Sequence, residues 1–495
     1  MRPVSTNGMR MKHLLMALAT VVLTGCGDMP QQSSNQVLPW AESQELVVLV
    51  QNGPTTLYVD AEGNHAGLEY DLVTRFAAAN GLKVRFIVTN SYAELLSRLK
   101  QHEAHFAVGV QKDFEGAGLA FGPAYQSIEP VLVYPSSRSA SSVLSELTAG
   151  EALISTLPQY VMALNKLKVS KPNLSWQIVE DGDSEDLIER VANGQLSYAM
   201  VDSHAADVAQ NYFPKVAISR EMGSAQQLAW AVPESDSELY GLFQGFFSKI
   251  AKNGEMHSLL DRYYGHVNRL APVDAMAFLD KRKATLPRYK KWFKEAETKT
   301  GLDWRLVAAL SYQESMWDPE AVSMSGVRGM MMLTNDTAER LGVNRLDPYQ
   351  SIQGGARYIQ TMKDSLAENI TEPDRTWLAL AAYNVGLGHL LDARALAVKL
   401  GKNPDSWVDV KTTLPLLRNP QYFKSAKYGY ARGGEPVIFV ERLRTYYDIL
   451  VRFESPVQST MPMLSENIVV QNPDNLQLNI NNRVLAAQQV RTAAL

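Results

Sequence analysis

Gln313-Glu314-Ser315-Met316-Trp317-Asp318-Pro319-Glu320-Ala321-Val322-Ser323 closes one segment of the chain and opens another. Upstream, Asp303 stands as a candidate N-cap for a helix from Trp304 to about Ser315. Its apolar positions Leu306, Val307, Ala309 and Leu310 predict one buried face. Pro319 bars continuation. Glu314 therefore falls at the C-terminal end of the helix, where the backbone dipole disfavours negative charge. Met316, Trp317 and the run Met330-Met331-Met332 would make its surroundings apolar. Desolvation and the dipole would both raise its pKa, which suits a general acid. Spacing alone fits an exposed glutamate near a helix end equally well.

Further blocks add to this one. Gly326-Val327-Arg328-Gly329-Met330-Met331-Met332-Leu333-Thr334 follows it, and Ala381-Ala382-Tyr383-Asn384-Val385-Gly386 comes later. The three strings, in this order, resemble the "E-S-x-x-x-P-x-A-x-S", "G-A-x-G-L-M-Q-L" and "A-Y-N-x-G" blocks of soluble-lytic-transglycosylase (SLT) domains. The resemblance continues through Arg375-Thr376-Trp377, Gly429 to Gly433 and Glu435 to Arg442. It implies a mainly α, lysozyme-like domain over 270–453 that acts on peptidoglycan glycan strands. It implies Glu314 as catalytic acid and base, Ser323 and the backbone near Met331 along the substrate groove, and Tyr383 and Asn384 on the sugar. From the residues themselves, Tyr383 reads equally as a core aromatic and Asn384 as a helix-end residue making a local turn bond. The methionine run reads equally as core packing. Two departures stand out: Met332 where the family has Gln, and Phe439 where it has Tyr.

Glycoside cleavage ordinarily uses two carboxylates flanking the bond. The matched blocks hold one well-placed acid, since Asp318 and Glu320 flank the proline turn and are expected to be solvated. One carboxyl suffices where the substrate supplies its own nucleophile. In the SLT family the muramoyl 6-hydroxyl does so and closes a 1,6-anhydro ring. The alternatives are hydrolysis on the same fold, as in goose-type lysozymes, and an envelope sensor or wall-binding lipoprotein with a vestigial catalytic fold.

Before this domain, short strands alternate with helices. Leu46 to Val50, Lys83 to Val88 and Phe106 to Val110 read as strands, with helices over Tyr70 to Asn80 and Ala93 to Lys100. A second set follows, with strands at Ala152 to Ser155, Ser175 to Val179 and Ser197 to Val201, and a helix from Ser184 to Asn193. Alternation of this kind predicts an α/β sheet. Gly67 to Leu72, Phe121-Gly122-Pro123-Ala124-Tyr125 and Gly194 to Asp202 resemble short motifs of the solute-binding proteins of family 3. The resemblance implies a two-lobed α/β periplasmic solute-binding-like domain over 45–269, with Asp71 and Asp202 near an amino-acid or muropeptide ligand. The family's ligand-clamping Arg is absent: the stretch reads Gln111-Lys112-Asp113-Phe114-Glu115. Lys112 can supply charge but not the planar fork. His105 replaces the family's small Asp and reads as a satisfied histidine.

A chain of 495 residues, 46% hydrophobic, is too long for one core. A net charge of −4 gives no basic signature of nucleic-acid binding. The single cysteine, Cys26, excludes an intrachain disulfide and a cysteine cluster. The eight histidines show no tight ligand spacing, so no metal and no cofactor are expected. Arg10 and Lys12 precede the apolar run Leu14 to Leu23, too short to span a bilayer and shaped like an export signal. It ends Leu23-Thr24-Gly25-Cys26, which resembles a lipobox and implies lipidation of Cys26 after removal of residues 1–25. Gly27 in place of Asp favours the outer membrane, by the same resemblance. Residues 26–44 read as a tether and 454–495 as a mostly disordered tail with a transient helix at Val484 to Val490.

Overall fold

The computed structural model describes residues 36–53, 55–60, 64–112, 118–180, 182–220, 222–324, 326–457 and 468–471. Cys26, the export signal and the Val484 to Val490 segment lie outside them.

Leu46 to Val50 is buried at every position because its strand, Glu45–Gln51, is sandwiched. Leu46, Val48 and Val50 enter one apolar cluster, while Val47 and Leu49 enter another on the opposite face. This is the signature of a strand covered on both sides. It pairs in parallel with Lys83–Thr89 and Phe106–Gln111. The first sheet runs Ile468–Gln471, Lys83–Thr89, Glu45–Gln51, Phe106–Gln111, Gln226–Pro233, Leu119–Phe121, with Gln126–Ile128 also on Gln226–Pro233. The second runs Ser175–Ile178, Leu153–Thr156, Ala199–Asp202, Pro130–Pro135, Val216–Ser219. The chain crosses between sheets at Glu129 and returns between Ser219 and Gln226, which makes two lobes.

Segments from outside 45–269 pack onto this domain. The tether's last residues are folded: Trp40–Ser43 is a helical turn, and Trp40 Nε1 donates to Asp236 Oδ2 at 3.1 Å. His105 is buried and spends both ring nitrogens: Nδ1 accepts from Val47 N at 2.8 Å, and Nε2 lies 2.8 Å from Leu38 O. Folded chain thus extends upstream of residue 45, to Val37. Within the tail, Ile468–Gln471 is a strand paired in parallel with Lys83–Thr89. Without it, Lys83–Thr89 would be an edge with unpaired amides.

From Pro272 the chain is helical. One core cluster runs from Phe278 to Leu450. Its aromatic centre joins three helices. The Phe278 ring of Pro272–Ala284 lies 4.5 Å from Tyr312 of Trp304–Ser315 and 4.6 Å from Tyr446 of Gly434–Phe453. The helical domain meets the first domain through buried charge. Arg444 Nη1 donates to Asp261 Oδ2 and Glu441 Oε1, both at 3.1 Å. Trp407 Nε1 donates to Glu441 at 2.7 Å, and Lys411 pairs with both carboxylates. Burial would raise the Asp261 pKa, but Arg444 and Lys411 outweigh it and hold the carboxyl low. Arg452 reaches Glu185 of the second lobe.

Candidate active site

The Trp304–Ser315 helix is not amphipathic. Every residue from Trp304 to Tyr312 is buried, so it threads the domain centre instead of showing one face to it. Asp303 caps it, accepting from Arg305 N at 2.8 Å and from Tyr447 OH at 2.8 Å. The helix stops before Pro319. Met316 and Trp317 take φ of 53° and 60°, the left-handed region that costs a non-glycine residue on the order of 1–3 kcal/mol. The Trp317 indole offsets that cost by turning inward, 1% exposed, with Nε1 donating to Ala308 O at 2.8 Å.

That turn leaves Glu314 partly buried at the helix end. Among the described residues, its carboxyl has no hydrogen bond and no ion pair. Desolvation pushes its pKa up to about 8. Asp318 and Glu320 are exposed, and Asp318 Oδ1 is spent on the Glu320 N–H at 2.9 Å.

The second sequence block is stitched to this helix by its backbone. Met330 O accepts from Ser311 Oγ at 3.1 Å and Ser315 Oγ at 2.9 Å. Met331 N donates to Ser351 Oγ at 3.2 Å, and Met331 O accepts from Tyr383 OH at 2.6 Å. Met330 and Met331 are fully buried, backbone included, and the Met331 N–H and C=O are both spent on Ser351 and Tyr383, so Met331 supports the site from beneath and lines no groove. Gly329 makes the approach possible: its φ is 91°, and a Cβ there would stand 2.2 Å from Arg345 O. Ser323 shapes the loop as its Oγ accepts from Val327 N at 3.0 Å.

Tyr383 packs on Tyr358 at 5.2 Å. Burial first, and the nearby Glu314 charge second, raise its pKa well above the usual phenol. Glu314, Met331 and Tyr383 thus form one constellation. Asn384, next in sequence, is exposed at the end of Asp374–Val385. Ser311, Ser315, Ser351 and Tyr358 hold the site, yet only Ser315 falls inside a matched block. Ser351 is twenty positions from the backbone it binds, so no local pattern points to it.

In the first domain, a cavity of about 100 Å³ between the lobes is lined by Glu69, Gln111, Tyr160, Asp202 and His204, among others. Asp202 is there, but it caps a helix by accepting from Ala205 N at 2.7 Å. It also accepts from Tyr160 OH and Ser184 Oγ, each at 3.1 Å. Asp71 is not among the lining residues. Its Oδ2 accepts from Arg262 Nη1 at 2.9 Å and Tyr263 OH at 3.0 Å. Glu69 faces inward instead, because two residues turn a helix by about 200°. Its carboxyl accepts from Tyr125 OH and from Trp230 Nε1, and burial pushes its pKa up to about 7. A larger cavity of about 570 Å³ lies at the domain junction, lined by Tyr212, Arg262, His266, Trp377, Arg444 and Arg452 among others. It includes none of Glu314, Tyr383 or Asn384.

A two-lobed solute-binding fold joined to a helical domain, with a partly buried glutamate that has no partner among the described residues, fits one class: SLT-type transglycosylases carrying a family 3 solute-binding domain. The family "Bacterial extracellular solute-binding proteins, family 3" matches residues 46–266, and "Transglycosylase SLT domain" matches 291–405. A membrane-bound lytic murein transglycosylase F of Methylobacillus flagellatus is 42% identical over 90% of this chain and 95% of its own length. That of Nitrosospira multiformis is 42% identical over 90% of this chain and 94% of its own. The chain belongs to the membrane-bound lytic murein transglycosylase F family. Among solved structures, a mutant of ArgBP from T. maritima is 18% identical, covering 46% of this chain and 97% of that one, with a TM-score of 0.41.

Proposed function

We propose that this chain cleaves murein glycan strands as a lytic transglycosylase, with Glu314 as its single acid and base. The neutral carboxyl donates its proton to the oxygen linking C1 of N-acetylmuramic acid to N-acetylglucosamine, and the C1–O bond breaks. The carboxylate then takes the proton of the muramoyl 6-hydroxyl while O6 bonds to C1. The product carries a 1,6-anhydro ring, Glu314 ends protonated, and no water is consumed. One observation carries this reading: a partly buried carboxyl at the helix end, without a partner among the described residues, whose pKa desolvation pushes up to about 8. Such a group is neutral at pH 7 and free to donate, and its conjugate base is strong enough to take a proton back. Ser323, Tyr383 and Asn384 line the groove. The first domain takes an amino-acid or peptide ligand without the family's Arg clamp. Lipid on Cys26 anchors the chain to the outer membrane on its periplasmic face.

Mass spectrometry of digested sacculi tests the reaction. The wild-type protein is expected to release anhydro-muropeptides and Glu314→Gln none. Reducing muramic acid ends would mean hydrolysis, and digestion by the Gln variant at the normal rate would remove Glu314 from the chemistry. A Cys26→Ala chain should leave the membrane fraction; continued sedimentation with the outer membrane would exclude the anchor.

A further inference from the structure

Tyr428 is held in place, yet 48% of it is exposed. A scattered exposed aromatic needs no explanation, but this one is built into position. Asp392, 7% exposed, spends both carboxylate oxygens on the segment: Oδ1 accepts from Lys427 N at 2.9 Å and Oδ2 from Tyr428 N at 2.8 Å. Burying a carboxylate is costly unless its bonds are made, and here these two bonds fix the ring's backbone. Beneath the ring is Gly388. A Cβ there would meet three Tyr428 ring atoms at 2.6 to 2.8 Å, so only glycine lets the ring lie against the first turn of Leu387–Lys399. The His389 ring meets Tyr428 edge-on at 6.5 Å.

Chain connectivity bounds the distance from this ring's seat to Asn384. Gly388 follows Asn384 by four residues, so their Cα atoms lie within about 14 Å. Asn384 follows Tyr383, whose phenol senses the Glu314 charge. Lys427 Nζ lies over the Tyr428 ring, 5.3 Å from its centroid, so a sugar stacking there takes the place of this flexible side chain. The electron-rich face that attracts a cation also attracts the polarised C–H groups on one face of a pyranose. Tyr430, 55% exposed and edge-on to Phe423 at 5.7 Å, extends the aromatic surface.

We infer that Tyr428, seated on Gly388 and fixed by Asp392, is a stacking subsite for a pyranose ring of the glycan strand, on the Asn384 side of the catalytic centre. The inference rests on the glycan-cleaving reading above and adds a residue that determines how the strand is held.

The test uses the full chain with soluble, uncrosslinked glycan strands. Tyr428→Ala, Tyr428→Leu and Gly388→Ala should each raise KM about tenfold with kcat within about twofold, the pattern of lost uniform binding. Tyr428→Phe should behave like wild type, because stacking uses the ring and not the hydroxyl. An unchanged KM in a folded Ala or Leu variant overturns the inference, as does a Phe variant impaired as much as Ala. A second arm is independent of the bond chemistry. In the Glu314→Gln protein, calorimetric affinity for an N-acetylglucosamine tetrasaccharide should fall about tenfold on adding Tyr428→Ala. Equal affinity overturns the subsite. Reducing-end products from the wild type, with this affinity loss intact, would overturn the lyase chemistry and leave the subsite standing.

Discussion

Glu314 is charged only at a cost, because nothing but desolvation sets its pKa. Two predictions follow from the sign of that shift. The folded value is about 8, above the ordinary 4.5. The group's contribution to stability is therefore fully present below pH 4.5, falls as pH rises through 8, and is flat beyond. Glu314→Gln should raise the melting temperature little in acid and most at alkaline pH; a pH-independent difference would contradict this. Glu69 shifts in the same direction, to about 7, so the variant must be compared with the wild type at each pH to isolate Glu314. Catalysis needs the protonated form first, so turnover should hold through neutral pH and decline with an apparent pKa near 8. Tyr383→Phe removes the 2.6 Å bond to Met331 O. It should cost about 1 kcal/mol of stability and lower kcat, read by denaturation and sacculus digestion.

The active site depends on a loop whose backbone is bound to the central helix, and Gly329 is its tightest point. Gly329→Ala combines a φ of 91° with a Cβ 2.2 Å from Arg345 O. It should destabilise the domain by about 2 kcal/mol or more, seen as a lower denaturation midpoint; a neutral result would mean that the loop adapts freely. The helix around Glu314 was legible in sequence to the residue, because Asp303, the apolar run and the following turn are local signals. Its complete burial was not, since four mainly apolar positions cannot distinguish a one-faced helix from a central one. Glu69 and Asp71 illustrate the same limit: both acids stand at a helix start, and only the fold decides which faces the cleft. The Ser351 contact and the Ile468–Gln471 strand were illegible because each depends on a partner far away in sequence.

At the scale of the whole molecule, the two domains are joined by charges that leave water together. Removing one partner of such a set strands the others. Asp261→Ala leaves Arg444, 2% exposed, and Lys411 to share Glu441, and should cost on the order of 3 kcal/mol. Calorimetry should show one transition for the wild type and two for the variant; identical profiles would mean that the junction contributes little. None of this reaches the chemistry, which depends on one proton held by one buried side chain. Carbon-13 NMR titration of the glutamate carboxyl signal missing from Glu314→Gln measures that proton directly. A midpoint near 8 is expected in the folded protein, and a midpoint near 4.5 would contradict the desolvation of Glu314.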